Sequence, residues 1–187
     1  MKRIANFILY KLMGWQKKGE IPKDLKKYVL IAAPHTSNWD FVYAKLYFWA
    51  AGIPVKIPIK SDLFFFPLGP ILKAMGGIPV NRKKSTNLTS AIAQMFKERD
   101  ELVLVITPEG TRSYAPEWKK GFYYIAQEAN VPIVLGYIDF KTKTTGIGPV
   151  FKPTGNVEKD LEEIVNFYKQ FEGKYQSGAN LQSYLHE

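Results

Sequence analysis

The sequence predicts a mixed α/β domain, with a largely parallel central sheet flanked by helices. Three observations carry this: strongly apolar runs at 28–33, 102–107 and 131–139, helix-like stretches at 41–51, 87–100 and 118–129 that alternate with them, and a helical stripe near the C-terminus. The first run, Tyr28-Val29-Leu30-Ile31-Ala32-Ala33, reads as a buried strand that Pro34 brings to an end. Thr36, Ser37 or Asn38 can then cap a helix carrying Asp40 in its first turn, and the markedly apolar stretch 41–51 continues it, interrupted by Lys45. Residues 55–59 form a possible short strand, and 76–80 lead into the basic group Arg82-Lys83-Lys84. Leu88, Ala91, Ile92, Met95 and Phe96 share the inward side of the next helix; a second buried strand, a helix at 118–129 and a third strand follow. Val157, Leu161, Ile164, Val165, Tyr168 and Phe171 keep helical spacing and belong to the core. With no internal repeat and no linker rich in Gly, Ser or Pro, residues 1–187 read as a single domain. The tail at 173–187 is weakly patterned and open to fraying.

Composition narrows the function classes. Hydrophobic residues make up 46% and aromatics 14%, which excludes general disorder. The formal net charge of +9 favours anionic partners such as phosphates, anionic lipids or nucleic acid. Without cysteine there is no thiol nucleophile and no cysteine metal site, and His35 and His186 are too far apart in sequence to seed a dense metal cluster; no metal is expected. Residues 1–15 place basic residues ahead of apolar ones, but Asn6 and Lys11 interrupt the stretch and it falls short of the roughly 20 residues of a spanning helix. Secretion and membrane spanning are therefore disfavoured. Ile4, Phe7, Ile8, Leu12 and Trp15 can share one face of a membrane-surface helix, with Lys2, Arg3 and Lys11 near headgroups; the alternative is a helix packed on the domain. The run 64–68, Phe-Phe-Phe-Pro-Leu, is likewise either a docking patch or buried core.

His35 is the histidine placed for chemistry, since His186 is penultimate. On a straight helix a five-residue offset would splay His35 and Asp40 apart, so they meet only if His35 lies in the loop before the helix. An aspartate that accepts from one ring nitrogen leaves the other free to take a proton from an alcohol. The alternative is two unrelated polar residues at a strand-helix junction.

A second element, Pro108-Glu109-Gly110-Thr111-Arg112-Ser113, follows the 102–107 strand, where open α/β sheets bind ligands. Arg112 can grip a phosphate by two parallel hydrogen bonds, Thr111 and Ser113 can donate hydroxyls, and Glu109 can orient Arg112 or accept from a substrate hydroxyl. Read otherwise, it is a loop held by a Glu-Arg pair. The third element, Gly76-Gly77-Ile78-Pro79-Val80-Asn81-Arg82, can bring Arg82 to the sheet rim as a planar fork for phosphate, or it is a solvated basic turn.

Taken together these elements resemble the glycerolipid acyltransferase family. His35 to Asp40 match its H-x-x-x-x-D signature, Lys60-Ser61-Asp62-Leu63 looks like its lysine-containing segment, Gly77 to Arg82 and the P-E-G-T-R-S loop at 108–113 follow, and order and intervals fit from 28 to 136. The resemblance implies a glycerolipid acyltransferase-like fold, His35 as general base, Asp40 as its orienting partner, and Lys60, Arg82, Glu109, Gly110, Thr111 and Arg112 around the acceptor. It implies direct transfer of a fatty acyl group from the thioester of acyl-CoA or acyl carrier protein to the hydroxyl of lysophosphatidic acid, giving phosphatidic acid with no cofactor. It also implies a cytoplasmic protein, peripheral on the anionic inner face of the cell membrane. Thr107 stands where the family often has an aromatic residue, Pro34 where asparagine is common, and Leu135 replaces the second proline of the fourth motif. These departures bear on acceptor and chain preference. Another lysophospholipid or hydroxylated lyso-lipid is the alternative acceptor. A non-catalytic basic module is the distant alternative, though no RNA-recognition signature is present and nucleic acid is not an expected partner. A serine hydrolase is disfavoured because no G-x-S-x-G elbow occurs.

Overall fold

The computed structural model describes residues 1–81 and 88–175. A seven-stranded sheet of order β1-β7-β6-β2-β5-β3-β4 is built from β1 (Gln16–Lys18), β2 (Lys27–Ala33), β3 (Val55–Lys60), β4 (Gly77–Val80), β5 (Leu102–Ile106), β6 (Ile133–Asp139) and β7 (Thr144–Phe151). Strands β6, β2, β5, β3 and β4 run parallel; β7 is antiparallel to β6, with β1 parallel to it. The helices are α1 (Lys2–Asn6), α2 (Asn38–Ala51), α3 (Leu68–Ala74), α4 (Leu88–Lys97), α5 (Gly121–Ala129) and α6 (Val157–Tyr168). This is the mixed, largely parallel sheet that the alternating pattern predicts.

Alternation along the central strands sorts the core into two layers. Val29, Ile31, Leu104, Ile133 and Leu135 face α4, α5 and α6, whereas Tyr28, Leu30, Val103, Val105 and Val134 face α2 and the N-terminal segment. Both faces are covered, so these strands are apolar on both sides. The C-terminal stripe is core as expected: Leu161, Ile164, Val165 and Tyr168 are buried, with Val157 and Phe171 packed against them. Lys45, the interruption in α2, is buried by donating its Nζ to the Met75 carbonyl in the turn before β4 and lying 5.2 Å from the Trp49 ring centroid.

Several boundaries differ from the sequence reading. Helix α5 begins at Gly121 rather than at Trp118, because the Lys119 N–H is tied to the Pro108 carbonyl at 2.8 Å and draws the chain toward the loop after β5. Strand β7 was not legible: Gly146, Gly148 and Pro149 depress strand propensity, and pairing with β6 across an irregular register overrides it. The five N-terminal apolar residues do not share a face. Helix α1 passes into a π-helical turn, Phe7–Leu12, whose wider spacing buries Ala5 and Leu9 and, beyond it, Trp15, and turns Ile4, Phe7 and Leu12 outward. Phe65 and Phe66 are exposed, so the stretch around them is not buried core. Among the described residues no helix is long and apolar enough to cross a membrane. Of the tail, Gly173 to Tyr175 lie against the loop after β2, and 176–187 are outside the described residues.

Candidate active site

Parallel register brings the motifs together. Ile31 of β2 pairs with Ile106 of β5, so the loops that follow, carrying His35 and Glu109, leave the same edge of the sheet side by side. Lys60 ends β3 and pairs with Val80 of β4 at that edge too. Adjacent strands lie about 4.8 Å apart, so β3 stands roughly 10 Å from β2. Arg82, two residues past Val80, lies with Lys83 and Lys84 outside the described residues.

His35 and Asp40 meet as the loop geometry requires. Ser37 is the N-cap of α2, its Oγ accepting from the Trp39 N–H at 3.1 Å, and Asp40 sits three residues on, reaching back in a capping box. Asp40 Oδ2 accepts from the Thr36 and Ser37 N–H groups at 2.7 and 2.8 Å and lies 3.0 Å from His35 Nδ1; Oδ1 accepts from Ser37 Oγ at 2.8 Å. Burial pushes the Asp40 carboxyl up, but the hydrogen bonds from His35, Ser37 and Thr36 outweigh it and hold the carboxyl below its ordinary value. An ionised Asp40 can only accept, so Nδ1 carries a proton, and in the neutral imidazole Nε2 presents its lone pair. With its side chain 21% exposed, His35 can meet an incoming hydroxyl.

Glu109 takes a place the sequence did not indicate. It neither pairs with Arg112 nor lies open to a substrate hydroxyl: its side chain is buried, and Oε1 accepts from the backbone N–H of His35 at 3.0 Å. Oε2 is buried with no partner among the described residues. Burial pushes this carboxyl up to about 7, against the hydrogen bonds of the Glu109 and His35 N–H groups. Because the folded state holds the proton up to about 7 while the unfolded chain releases it near 4.5, this group's contribution to stability is fully present below about 4.5 and is lost as pH rises through about 7. At about 1.4 kcal/mol for each pH unit between the two values, the loss is on the order of 3 kcal/mol. Glu109→Gln, which keeps the carbonyl acceptor, is therefore expected to lose less stability than the parent between pH 5 and pH 8 in urea unfolding; parallel pH profiles would show that Glu109 titrates normally.

The rest of the second motif is a turn. The Gly110 N–H reaches the Thr107 carbonyl at 3.1 Å with φ +65°, a backbone that favours glycine, and the Lys119 side chain lies against it. Thr111 and Arg112 are exposed; Thr111 Oγ1 accepts from the Ser113 N–H at 3.3 Å, and Arg112 forms no ion pair among the described residues. Lys60 is bound to Asp62 at 2.6 Å, both well exposed. Lys119, a cation beside Gly110, had no sequence signal because only the Pro108 contact folds it back over the loop.

A family model described as Acyltransferase matches residues 15–137, which include His35, Asp40, Lys60, Arg82 and the whole 108–113 loop. The chain belongs to this acyltransferase family. This family member is similar to the human (Homo sapiens) protein 1-acyl-sn-glycerol-3-phosphate acyltransferase beta, 35% identical over 85 residues that make up 43% of the chain and 31% of that relative. The match thus spans about a third of the relative's length. The fold is also that of the crystal structure of the 1-acyl-sn-glycerophosphate (LPA) acyltransferase PlsC from Thermotoga maritima, with a TM-score of 0.61 over 90% of this chain and 76% of that one at 18% identity.

Proposed function

We propose that the protein transfers a fatty acyl group from an acyl thioester, carried by coenzyme A or acyl carrier protein, to the free hydroxyl of lysophosphatidic acid, giving phosphatidic acid. The observation that carries this reading is the His35 Nδ1 contact to a buried Asp40 at the carboxyl edge of the sheet, beside the motif loop. His35 Nε2 removes the hydroxyl proton as the oxygen attacks the thioester carbonyl. The tetrahedral oxyanion collapses, the C–S bond breaks, and the departing thiolate takes the proton back from the imidazolium. One ester and one free thiol result. Arg112, Lys119 and Lys60 supply cations at or near the rim for the acceptor phosphate, and Arg82 is assigned to the same role from the motif it carries in the sequence.

A matrix of acyl-CoA and acyl carrier protein donors against lysophosphatidic acid, lysophosphatidylcholine and a neutral monoacylglycerol tests this. Thiol release is expected to be fastest with lysophosphatidic acid, and Arg112→Ala to weaken use of phosphate monoesters more than of neutral acceptors, with Arg112→Lys recovering only part. Preference for a diester acceptor would move the assignment to another lysophospholipid. Equal losses on charged and neutral acceptors would make Arg112 structural.

The reading places the enzyme peripherally on the cytoplasmic face of the cell membrane. Outward-facing Met1, Ile4, Phe7 and Leu12 accompany Lys2, Arg3 and Lys11, and Leu63, Phe65, Phe66 and Ile71 form a second exposed apolar group. Since Leu9 and Trp15 are core, point changes test docking better than deletion of the segment. Phe7→Ser with Phe66→Ser is expected to lower sedimentation with phosphatidylglycerol vesicles, and salt to lower that of the parent. Unchanged, salt-insensitive binding would exclude these surfaces.

A further inference from the structure

We propose that residues 171–175 are a positioning strap for the His35 loop: Gly173 and the Tyr175 N–H seat Thr36, so that the Thr36 and Ser37 N–H groups stay on Asp40. The inference rests on His35 and Asp40 being the catalytic pair. The segment lies beyond residue 137, where the family match ends. Its upstream end is fixed. The Tyr168 hydroxyl, fully buried, lies 3.1 and 2.9 Å from the Ile31 and Gly136 carbonyls, and Phe171 stacks on Tyr137 at 3.9 Å. Glu172 then binds the end of β6 three ways: its N–H to Asp139 Oδ1 at 3.2 Å, its carbonyl from the Phe140 N–H at 2.9 Å, and its carboxylate with Lys141.

From that anchor the chain crosses directly over the loop. A Cβ on Gly173 would lie 2.5 Å from Thr36 Cγ2 and 2.7 Å from its Oγ1, contacts too short unless Thr36 shifts. The Tyr175 N–H donates to Thr36 Oγ1 at 3.3 Å, and Lys174 Nζ lies 4.8 Å from the centroid of the Trp39 ring. Thr36 is thereby only 5% exposed although it sits in a loop. Of the two loop and helix residues it touches, Thr36 gives its N–H to the Asp40 carboxylate and Trp39 gives its N–H to the Ser37 hydroxyl, which itself donates to Asp40. Lifting the strap frees Thr36, admits water to the N–H groups on Asp40, and loosens the aspartate that aims the imidazole. A small misplacement of a catalytic group is worth up to about 10²-fold in rate.

The test compares the full chain with Gly173→Ala, with Gly173→Ala plus Thr36→Ser, which removes the methyl nearest the new Cβ, and with Tyr175→Pro, which removes the donor to Thr36. Two readouts are taken: hydrogen exchange of the peptide covering Thr36 and Ser37, and kcat with KM for the acceptor. Gly173→Ala is expected to speed exchange of that peptide and lower kcat about tenfold or more with KM nearly unchanged. The added Thr36→Ser relieves the 2.5 Å contact but keeps the hydroxyl, and should recover part of both. A folded Gly173→Ala with parental exchange and kcat overturns the proposal, as does a kcat loss with no faster exchange of the peptide covering Thr36 and Ser37. If Gly173→Ala does not fold, parental values in Tyr175→Pro overturn it instead; loss of the fold in both variants also does so, assigning the segment to stability alone. A parent inactive on every acceptor would defeat the functional reading, while the exchange arm would still decide the strap.

Discussion

Replacing His35 with alanine is expected to slow acyl transfer by about 10²–10⁴-fold, the usual worth of a positioned proton acceptor. The fold should survive the change. The His35 side chain is partly exposed, and the hydrogen bond to Glu109 comes from its backbone N–H, which alanine keeps. Asp40 loses one partner but retains the Thr36 and Ser37 donors. Acceptor affinity should change little, since the proton is moved in the transition state and not on binding. The absence of cysteine from the chain gives the measurement a clean background, because a thiol reagent then reads only the released carrier. Near-parental turnover by a folded His35→Ala protein would refute the mechanism outright.

Asp40→Asn is expected to have the second largest effect, and to act on activity and stability together. Because Oδ2 meets His35 Nδ1 and both backbone N–H groups, an amide either keeps its oxygen there as a weaker, neutral partner of the imidazole or turns its NH2 toward His35 against the two N–H donors. The first orientation removes the charge that stabilises the imidazolium; the second demands the other tautomer and leaves Nε2 unable to accept from the substrate. At the same time the side chain caps α2, taking two backbone N–H groups and the Ser37 hydroxyl while buried. Losing charge-assisted bonds there should cost about 2 kcal/mol or more. The pH dependence distinguishes this loss from a generic one. Since the carboxyl is held below its ordinary value of 3.8 in the folded protein, its contribution is present above that value and disappears as pH falls through the lower, folded one. The parent should therefore lose an increment of stability on acidification that Asp40→Asn never had. In combination with His35→Ala the rate losses should be far from additive, because both changes disable one unit. Additive losses would place Asp40 outside the proton-transfer step.

Much of the core and the meeting of His35 with Asp40 were legible in the sequence for local reasons. Apolar runs at 28–33 and 102–106 are short, bounded and contain β-branched residues, as strands covered on both sides do, and the stripe from Val157 to Tyr168 has one helical face. His35 and Asp40 could be paired on paper because a proline-ended strand followed by Thr36, Ser37 or Asn38 as cap candidates leaves a short loop before the helix, and the structure selects Ser37. What depended on distant parts of the chain was not readable. Glu109 in its loop looks like a partner for Arg112; only the pairing of β2 with β5 sets it under the His35 N–H, where burial rather than any neighbour in sequence raises its proton affinity. Strand β7 exists because β6 offers an edge, against the preferences of its own glycines and proline. The segment after α6 has no pattern of its own, and its place over Thr36 follows from the anchoring of Glu172 at the end of β6. Sequence thus determined the periods and motif residues and narrowed the α2 cap to three neighbours, which are properties of residues adjacent along the chain. The tertiary structure decided which buried polar groups meet, because burial and contact are set by residues as far apart as Thr36 and Tyr175.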